Sequence, residues 1–528
     1  MRGMGPCAEV RADRMGHGGR VPGRGGFRGP WLPRGVALAC ALRACVAFAD
    51  GSPQDMVRSV PSSVMALCAA RLSPGQETQW APCPPAAEEN PSLPADAPVK
   101  EDDIRDNPGP HPWIALGEVT AINLFVWTWD RYIANKDWAY ISPSVWKENF
   151  RTGFVWDQDG FSTNQFAHPY HGGLYYTAAR DNGLPYEAAV PLTFLGSLQW
   201  ELFAENEPPS ANDLINTTVG GVAMGEALYR LSSLVLDTEV RGRQRFVREL
   251  AAGIISPVRG FNRVLRGDVS HHGPSPTEWW PDDIAGWASL GYLKLGDGRS
   301  LAWGEDQFFI QGTLRYGNMY RGDFHRPFDA FDARVQFTTR ENSLVTNARL
   351  QGLLAKATLW SAERDELRLG LLQQLDYTDT LAYEVGGQSL DAGLLHEHRF
   401  LNRSRLRTAL LVEGSLITGV TSEHTDSEGN EGRDYDYGPG LGFQLQMAYL
   451  REDWEVVTLE AGAEHVLVVD GSGGSHRVHQ AQLQVDLPVY KNLGMGSQLN
   501  WFQRHSRFDA FPAVTKDTWQ LRIFVSLH

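Results

Sequence analysis

Apolar and polar residues alternate in long segments from Trp287 to the end of the chain. Successive side chains of a β-strand point to opposite faces, so this period of two predicts strands with one apolar face and one polar face. One such segment is divided into the apolar set Phe331, Ala333, Val335 and Phe337 and the polar set Asp332, Arg334, Gln336 and Thr338. About eleven or twelve segments of roughly ten or more residues follow this pattern, with glycine-rich turns between them.

The length of these segments separates two folds that both alternate. Strands of a water-soluble sandwich average about five or six residues, whereas a tilted strand that crosses a membrane needs about nine to eleven. The segments therefore favour a membrane barrel over a sandwich. We predict an antiparallel transmembrane β-barrel of about 12 strands over residues 285–528, in contact with outer-membrane lipid, because an even number leaves both ends of the barrel on one side.

Charge and hydropathy exclude two other classes of protein. The chain has 48 Lys and Arg against 63 Asp and Glu, a net charge of −15, and its basic residues gather near the N-terminus. No broad cationic face is left for nucleic acid. No run of about 18 uncharged apolar residues follows the N-terminal segment, which excludes a polytopic helical membrane protein.

The N-terminal region carries the features of export. Residues 1–49 combine a basic leader, a short apolar segment and the pattern Ala47-Phe48-Ala49 before Asp50, which predicts a secretory signal peptide. A disordered basic arm is the alternative. Residues 50–110 are rich in proline and poor in β-branched and aromatic residues, so we expect a disordered linker there.

Residues 111–270 have the apolar spacing of helices and form the predicted helical domain of an α+β chain. We predict helices over residues 113–133, 185–205 and 210–237. Ser210 is placed to cap the third helix, with Asp213 returning the bond as in a capping box. On the same helix Thr217, Gly221 and Gly225 form a stripe of small residues that predicts close helix packing, and Glu226 and Arg230 are spaced for an ion pair.

A polar stretch ahead of the second predicted helix contains the first candidate site. His168 and His171 are three residues apart on a helix that Pro169 can begin, a spacing that can place both imidazoles on one face for proton exchange or metal binding. The alternative is a buried network that satisfies backbone groups. The candidate binding residues around and beyond these histidines are Asn164, Gln165, Tyr170, Asn212 and Asn216.

Three carboxylates complete this candidate site. Glu201 and Glu205 lie one helical turn apart, and burying them together raises the proton affinity of each. Asp213, at the start of the third helix, is the third carboxylate. The alternative for Glu205 is a solvated helix end shared with Glu207. No cofactor and no particular metal follow from these residues.

The strings Ser162-Thr-Asn-Gln-Phe-Ala-His-Pro-Tyr-His-Gly-Gly173 and Trp200-Glu-Leu-Phe-Ala-Glu-Asn-Glu-Pro-Pro-Ser-Ala-Asn-Asp, with Gly225-Glu226 beyond them, resemble a bacterial family, the domain of unknown function 3943. The resemblance covers about residues 110–240. It implies an exported protein of the Gram-negative envelope and carries no assigned activity.

Three functions are compatible with this organisation. The first is an outer-membrane β-barrel with a helical domain at its periplasmic mouth or inside its lumen, serving in binding, transport or scaffolding. The second is an envelope hydrolase or lipid-modifying enzyme that uses His168, His171 and the carboxylates on a small-molecule or lipid ligand. The third is a gated diffusion pore.

Overall fold

The structure is a computed structural model that describes residues 109–273, 275, 280–297, 304–341, 343–425 and 433–528. The predicted signal peptide and all but two residues of the predicted linker lie outside the described residues. The helices are α1 Pro112–Tyr132, α2 Pro143–Thr152, α3 His168–Asp181, α4 Tyr186–Phe203, α5 Ala211–Ile215, α6 Gly221–Val235, α7 Gly242–Ile255 and α8 Pro257–Arg266. In the described part of the chain, no helix is both long enough and apolar enough to cross a membrane.

The three helices predicted from the sequence are confirmed as α1, as α4 and as α5 with α6, and the third contains a π-helical turn. A π-helical turn, Thr163–Ala167, leads directly into α3, and a second one, Asn216–Gly220, joins α5 to α6. Such turns widen a helix by one residue and are frequent at functional sites. Both π-turns border the polar residues of the candidate site.

Twelve antiparallel strands follow the helices. They are β1 Ile284–Asp297, β2 Asp306–Tyr316, β3 Phe331–Thr338, β4 Val345–Ser361, β5 Asp365–Asp379, β6 Glu384–Arg399, β7 Ser404–Thr421, β8 Tyr435–Arg451, β9 Trp454–Leu467, β10 Ser475–Tyr490, β11 Leu493–Arg507 and β12 Val514–Leu527. Each strand pairs with its neighbour in the sequence, and β1 pairs with β12, for example Tyr292 opposite Ile523. The predicted closed barrel of 12 strands is confirmed.

Contacts across the barrel identify its inner face. The Glu460 carboxylate of β9 accepts from Arg334 Nη2 of β3 at 2.6 Å and from Arg349 Nη1 of β4 at 3.1 Å, between nearly opposite walls. The loop between β2 and β3 also enters the lumen, where Met319 packs against Leu353 and Leu372. Charged side chains and this loop therefore fill the interior.

The residues that alternate with these point outward and are apolar. Large side chains exposed on the outer face include Leu290, Phe308, Val412, Leu441, Phe443, Leu483, Met495 and Ile523. An apolar exterior around a closed hydrogen-bonded cylinder is the arrangement that hydrocarbon requires.

The helical domain packs on this outer face. Ala223 and Ala227 of α6 form one apolar cluster with Leu350 of β4 and Leu375 of β5, both of which point away from the lumen. Above this cluster, Gln373 Nε2 of β5 donates to the Val219 carbonyl oxygen at 2.8 Å. The outer face of β3 to β8 is thus partly covered by protein.

The contacts extend from one rim of the barrel to the other. At one rim, Arg230 Nη1 of α6 lies 3.2 Å from Asp329 Oδ1, just before β3 begins. At the other rim, Asn164 Nδ2 donates to the hydroxyl of Tyr435, the first residue of β8, at 2.9 Å. The sequence-based placement of this domain at the periplasmic mouth or inside the lumen is wrong. The lumen is filled by its own side chains, and the apolar partners of α6 lie outside.

Candidate functional site

The candidate site lies at the Tyr435 rim of the barrel, where four segments of the helical domain meet. These are the loop before Phe161, the first π-turn with the start of α3, the end of α4, and the start of α5. Phe161 holds the loop to the barrel, because its ring packs edge-on against Tyr435 with 4.8 Å between centroids. The barrel wall therefore supports one side of the site.

His168 is the central residue of the site. Its Nε2 atom lies 3.3 Å from Asp213 Oδ1 and 3.7 Å from Asp159 Oδ2, and its Nδ1 atom is 3.2 Å from Thr217 Oγ1. Nε2 makes no hydrogen bond of good geometry among the described residues. Thr217 therefore orients the ring, and the opposite nitrogen is held between two carboxylates. Asp159 is the exposed member of this trio, so the site opens to the outside on its side.

The start of α5 connects Asp213 to Glu201. Ser210 Oγ accepts from the Asp213 backbone N–H at 3.1 Å, which confirms the predicted cap. The predicted return bond from Asp213 is replaced: the Ser210 N–H donates to Glu201 Oε2 of α4 at 2.8 Å. Because Glu201 supplies that acceptor from a neighbouring helix, the Asp213 carboxylate is free to face His168.

Asn212 joins the acidic residues into one network. Its Nδ2 atom donates to carboxylate or amide oxygens of Asp157, Asn164 and Asp213, the last at 3.1 Å. Its Oδ1 atom accepts from the Asp157 N–H at 3.0 Å. Asn216 Nδ2 donates to the same Asn164 oxygen at 3.3 Å. Asn164, Asn212 and Asn216 thus brace the acids.

Burial and mutual repulsion change the acidity of the carboxyls. Burial, followed by the charge of Asp213, raises the pKa of Glu201 to about 8. Burial and the charge of Glu201 raise the pKa of Glu205 well above its usual value, and burial and the charge of Asp157 do the same for Asp213. The charge of Glu201 raises the pKa of Glu205 as expected, but the hydrogen bond with Glu205 lowers the pKa of Glu201, whose increase comes from burial and Asp213. At neutral pH this group of carboxyls holds protons that exposed carboxyls lose.

The pKa of the His168 imidazole is also raised, but the cause is neighbouring negative charge and not burial. Burial lowers the pKa of His168, but the proximity of Asp159 and the charges of Glu201, Asp159 and Asp157 outweigh burial, so the pKa is raised. Among the described residues, the His168 imidazole is the group that can supply positive charge beside these carboxylates. An imidazolium beside protonated and ionised carboxyls is an arrangement that can give and accept protons near neutral pH.

The other predicted residues are not all part of this network. The Nε2 atom of His171 lies 2.9 Å from the Tyr175 hydroxyl, and its ring packs edge-on against Trp200. Burial and the charge of His168 lower the pKa of His171 to about 3, so its ring is neutral at neutral pH. Tyr170 is exposed. Gln165 is buried against Gly386 of β6, and neither of its side-chain amide atoms has a hydrogen-bond partner in the described structure.

Sequence reasoning missed Asp157, Asp159 and Tyr435. The pair Asp157-Gln-Asp159 precedes a glycine, a turn-like signal that marks a loop and does not reveal a site. Tyr435 lies 271 residues from Asn164, and nothing in its strand pattern distinguishes it from other outward aromatics. Over the described residues, no group of three or more His, Cys, Asp or Glu has an arrangement that could hold a metal ion.

The small-residue stripe of α6 acts as predicted. A Cβ atom on Gly172 of α3 would lie 1.7 Å from the Thr217 carbonyl oxygen, and one on Gly221 would lie 2.5 Å from the Gly172 Cα. Glycine is required on both helices for the backbones to approach this closely. The contact fixes Thr217, and through it the ring of His168.

Residues 153–258 match the family described as Domain of unknown function (DUF3943). The resemblance predicted from the motifs between residues 162 and 226 is confirmed. The matched segment contains every residue of the site described above except Tyr435. No curated protein matches this chain.

Several solved structures share the barrel. Outer membrane phospholipase A from Escherichia coli is 15% identical over 47% of this chain and 91% of its own, with a TM-score of 0.23. The NanC porin is 6% identical over 46% of this chain and 99% of its own, with a TM-score of 0.25. The KdgM porin is 10% identical over 46% of this chain and 98% of its own, with a TM-score of 0.21. At these identities and TM-scores the similarity adds nothing to the closed barrel that the strand pairing itself shows.

Proposed function

We propose that this protein is an outer-membrane enzyme that carries out acid–base chemistry at His168, on a site that its helical domain holds beside the barrel. The observation that carries the proposal is the position of His168 Nε2 between Asp213 at 3.3 Å and Asp159 at 3.7 Å. The ring is oriented from behind by Thr217. A base fixed in this way, whose buried Nε2 atom has no hydrogen-bond partner among the described residues, fits the removal of a proton from water or a hydroxyl.

Each neighbour has a distinct role in this proposal. The neutral form of His168 takes the proton, the charge of Asp159 stabilises the imidazolium that forms, Asp213 holds the ring from the buried side, and Asp159 also lies where a reactant enters from outside. Glu201 and Glu205 have raised pKa values and store a proton that can be returned to a leaving group. Asn164, Asn212 and Asn216 keep these groups in place through the bonds described above.

The substrate class we favour is an ester or phosphoester of a membrane lipid. The site is at the rim of the barrel, next to an outer face of apolar side chains, so lipid headgroups are the compounds at the highest local concentration. Hydrolysis of such a bond needs the deprotonation of water and the protonation of an alcohol. The proposed groups supply both steps.

The experiment uses the full chain in vesicles of phospholipid, and separately of phospholipid with lipid A. Release of fatty acid and of phosphate is followed against pH for the wild type and for His168→Gln and Asp213→Asn. We expect the hydrolysis rate of the His168 variant to fall by about 100-fold or more, which is the contribution typical of one general base. His272→Gln is the matched control, because His272 is an exposed histidine outside the site, with its Nδ1 atom 2.9 Å from the Ser270 carbonyl oxygen.

Two results would contradict the proposal. One is hydrolysis no faster than in vesicles without protein. The other is hydrolysis that His168→Gln leaves unchanged in rate and pH profile. Heat-modifiable migration on gels identifies variants whose barrel has not folded, so a loss of folding is not mistaken for a loss of chemistry.

The gated pore is the weaker alternative. Arg334 and Arg349 cross the lumen to Glu460, and the loop that carries Met319 fills the lumen near one rim. Planar-bilayer recordings on the wild type are therefore expected to give little conductance. A large steady conductance would favour transport over the enzyme.

A further inference from the structure

The outward surface of the helical domain is unusual because it is apolar while the charges point inward. On α1 every exposed residue is uncharged: Pro112, Trp113, Ile114, Gly117, Thr120, Ala121, Leu124, Phe125, Thr128, Trp129 and Tyr132. Glu118 is turned inward, where its Oε2 atom accepts from Asn182 at 2.8 Å and from Asn262 at 3.0 Å. The other two charged residues of α1, Asp130 and Arg131, are only partly exposed. A helix on the surface of a water-soluble protein has the opposite distribution.

The last two helices, α7 and α8, likewise bury charged residues and expose apolar ones. Arg259 and Arg263 of α8 are buried, and Arg263 Nη2 donates to Glu249 of α7 at 2.9 Å. The exposed residues of these helices beyond their first turns are mainly large and apolar: Phe246, Val247, Leu250, Ile254, Phe261, Val264 and Leu265. Exposing seven such side chains to water while burying arginines would be costly. In a hydrocarbon environment the same distribution is favourable.

The threonine hydroxyls on the exposed face of α1 have protein partners, and Thr120 Oγ1 lies 3.2 Å from Gln199 Oε1 of α4 in addition to bonding within its own helix. Thr120 Oγ1 donates to the Leu116 carbonyl oxygen at 3.0 Å, and Thr128 Oγ1 donates to the Leu124 carbonyl oxygen at 2.6 Å. Hydroxyls exposed to water have no need of these bonds. Hydroxyls that face hydrocarbon do, because no solvent partner is present there.

This apolar surface continues the outer face of the barrel. The helical domain covers the outer residues of β4 and β5, such as Leu350 and Leu375. On one side of it the outward Phe308 of β2 is exposed, and on the other side the outward Val412 of β7 and Leu441 of β8 are exposed. The helices therefore stand in the ring around the barrel where lipid would otherwise lie.

We propose that the outward surface of the helical domain contacts the acyl chains of the same bilayer that surrounds the barrel. The occupant of the surface is membrane lipid, and the domain is a lipid-facing flank of the barrel wall. The proposal does not depend on the enzymatic function proposed above. It would remain in place if His168 had no catalytic role.

Depth-dependent quenching tests the contact with lipid. The full chain, with its own cysteines changed to serine, receives one cysteine at Phe125 or Leu265 and a small fluorophore on that cysteine. Each protein is placed in phosphatidylcholine vesicles with or without bromine on the acyl chains. Leu441→Cys on the barrel is the lipid-facing reference, and Arg151→Cys on the polar surface of α2, where the arginine side chain is 79% exposed, is the water-facing reference.

We expect bromolipid quenching at Phe125→Cys and Leu265→Cys within about twofold of that at Leu441→Cys, with little quenching at Arg151→Cys. Heat-modifiable migration selects the folded proteins. Quenching at both helical positions as weak as at Arg151→Cys would overturn the proposal. Energy transfer between differently labelled copies, together with weak quenching, would assign the surface to a second copy of the chain and would also overturn it.

Discussion

The helical domain buries acidic groups in two places, and it neutralises them differently. Glu226 of α6 is fully buried and receives Arg180 Nε and Arg230 Nε at 2.8 Å each, together with the Tyr176 hydroxyl. Burial alone would raise the pKa of Glu226, but the two guanidinium groups lower it. The carboxylate is therefore ionised and fully compensated.

The carboxyls around His168 lack such compensation. Glu201, Glu205 and Asp213 have an imidazole as their described cationic partner, and their pKa values rise instead of falling. A cluster built only for stability would contain arginines, as the Glu226 cluster does. Carboxyls whose pKa values are raised by burial and neighbouring charge are instead typical of sites that move protons.

The largest expected effect is at the compensated cluster. Glu226→Gln leaves Arg180 and Arg230 buried without a counter-charge, and breaking a buried pair in this way costs about 3–5 kcal/mol. We expect the free energy of unfolding, measured by urea titration of tryptophan fluorescence in detergent micelles, to fall by that amount. A change below about 1 kcal/mol would mean that the two clusters do not differ as described.

The contact between α3 and α6 provides the next effect, because it links the two clusters. Gly172→Ala forces a Cβ atom against the Thr217 carbonyl oxygen, and such overpacking costs about 1–3 kcal/mol. Since Thr217 orients His168, any hydrolytic activity should fall together with stability. Gly117→Ala on α1 is the control, since a Cβ there meets nothing within 4 Å and should stabilise the helix by about 0.5–1 kcal/mol. Equal effects of the two variants would refute the close contact.

The confirmed glycine contact and barrel show what the sequence determines locally. A period of two over long segments is enough to predict strands, their number and a polar lumen, because each residue's face follows from its position alone. The stripe of Thr217, Gly221 and Gly225 likewise predicts close packing without knowledge of the partner helix. Ser210 predicts a helix start for the same reason.

The rest of the site depends on long-range packing that no local pattern encodes. The spacing of His168 and His171 fits both a shared chemical site and a buried structural network. In the structure, packing against Trp200 turns His171 away from the acids. The location of the helical domain was predicted wrongly for a related reason. The apolar residues of α8, such as Phe261 and Leu265, resemble a core-facing stripe, and only the fold reveals that this stripe faces outward.

A smaller effect on stability is expected at the uncompensated cluster. Glu201→Gln replaces a largely protonated carboxyl by an amide of similar shape, and the amide oxygen can still accept from the Ser210 N–H. We expect the free energy of unfolding at pH 7 to change by less than about 1 kcal/mol, in contrast to Glu226→Gln. Proton-dependent activity should nevertheless decrease. A loss of several kcal/mol would indicate that Glu201 is ionised and structurally essential.

The smallest effect distinguishes the clusters by the sign of their pH dependence. The pKa of Glu201 in the folded protein is about 8, above its ordinary value of 4.5, so the folded state binds more protons between these values and stability falls as pH rises. The raised pKa of His168 acts in the same direction. His171, lowered to about 3, opposes this trend only below its ordinary value of 6.5. Between about pH 6.5 and 8 His171 therefore no longer opposes the trend.

Urea titrations of the wild type and Glu201→Gln at several pH values across that window measure this effect. As pH rises, the free energy of unfolding of the wild type should fall relative to that of the variant, because only the wild type loses a proton from Glu201. Glu226 cannot produce this slope, since its lowered pKa places its titration below 4.5. A flat difference would place the Glu201 titration outside the window and remove the contrast between the two clusters.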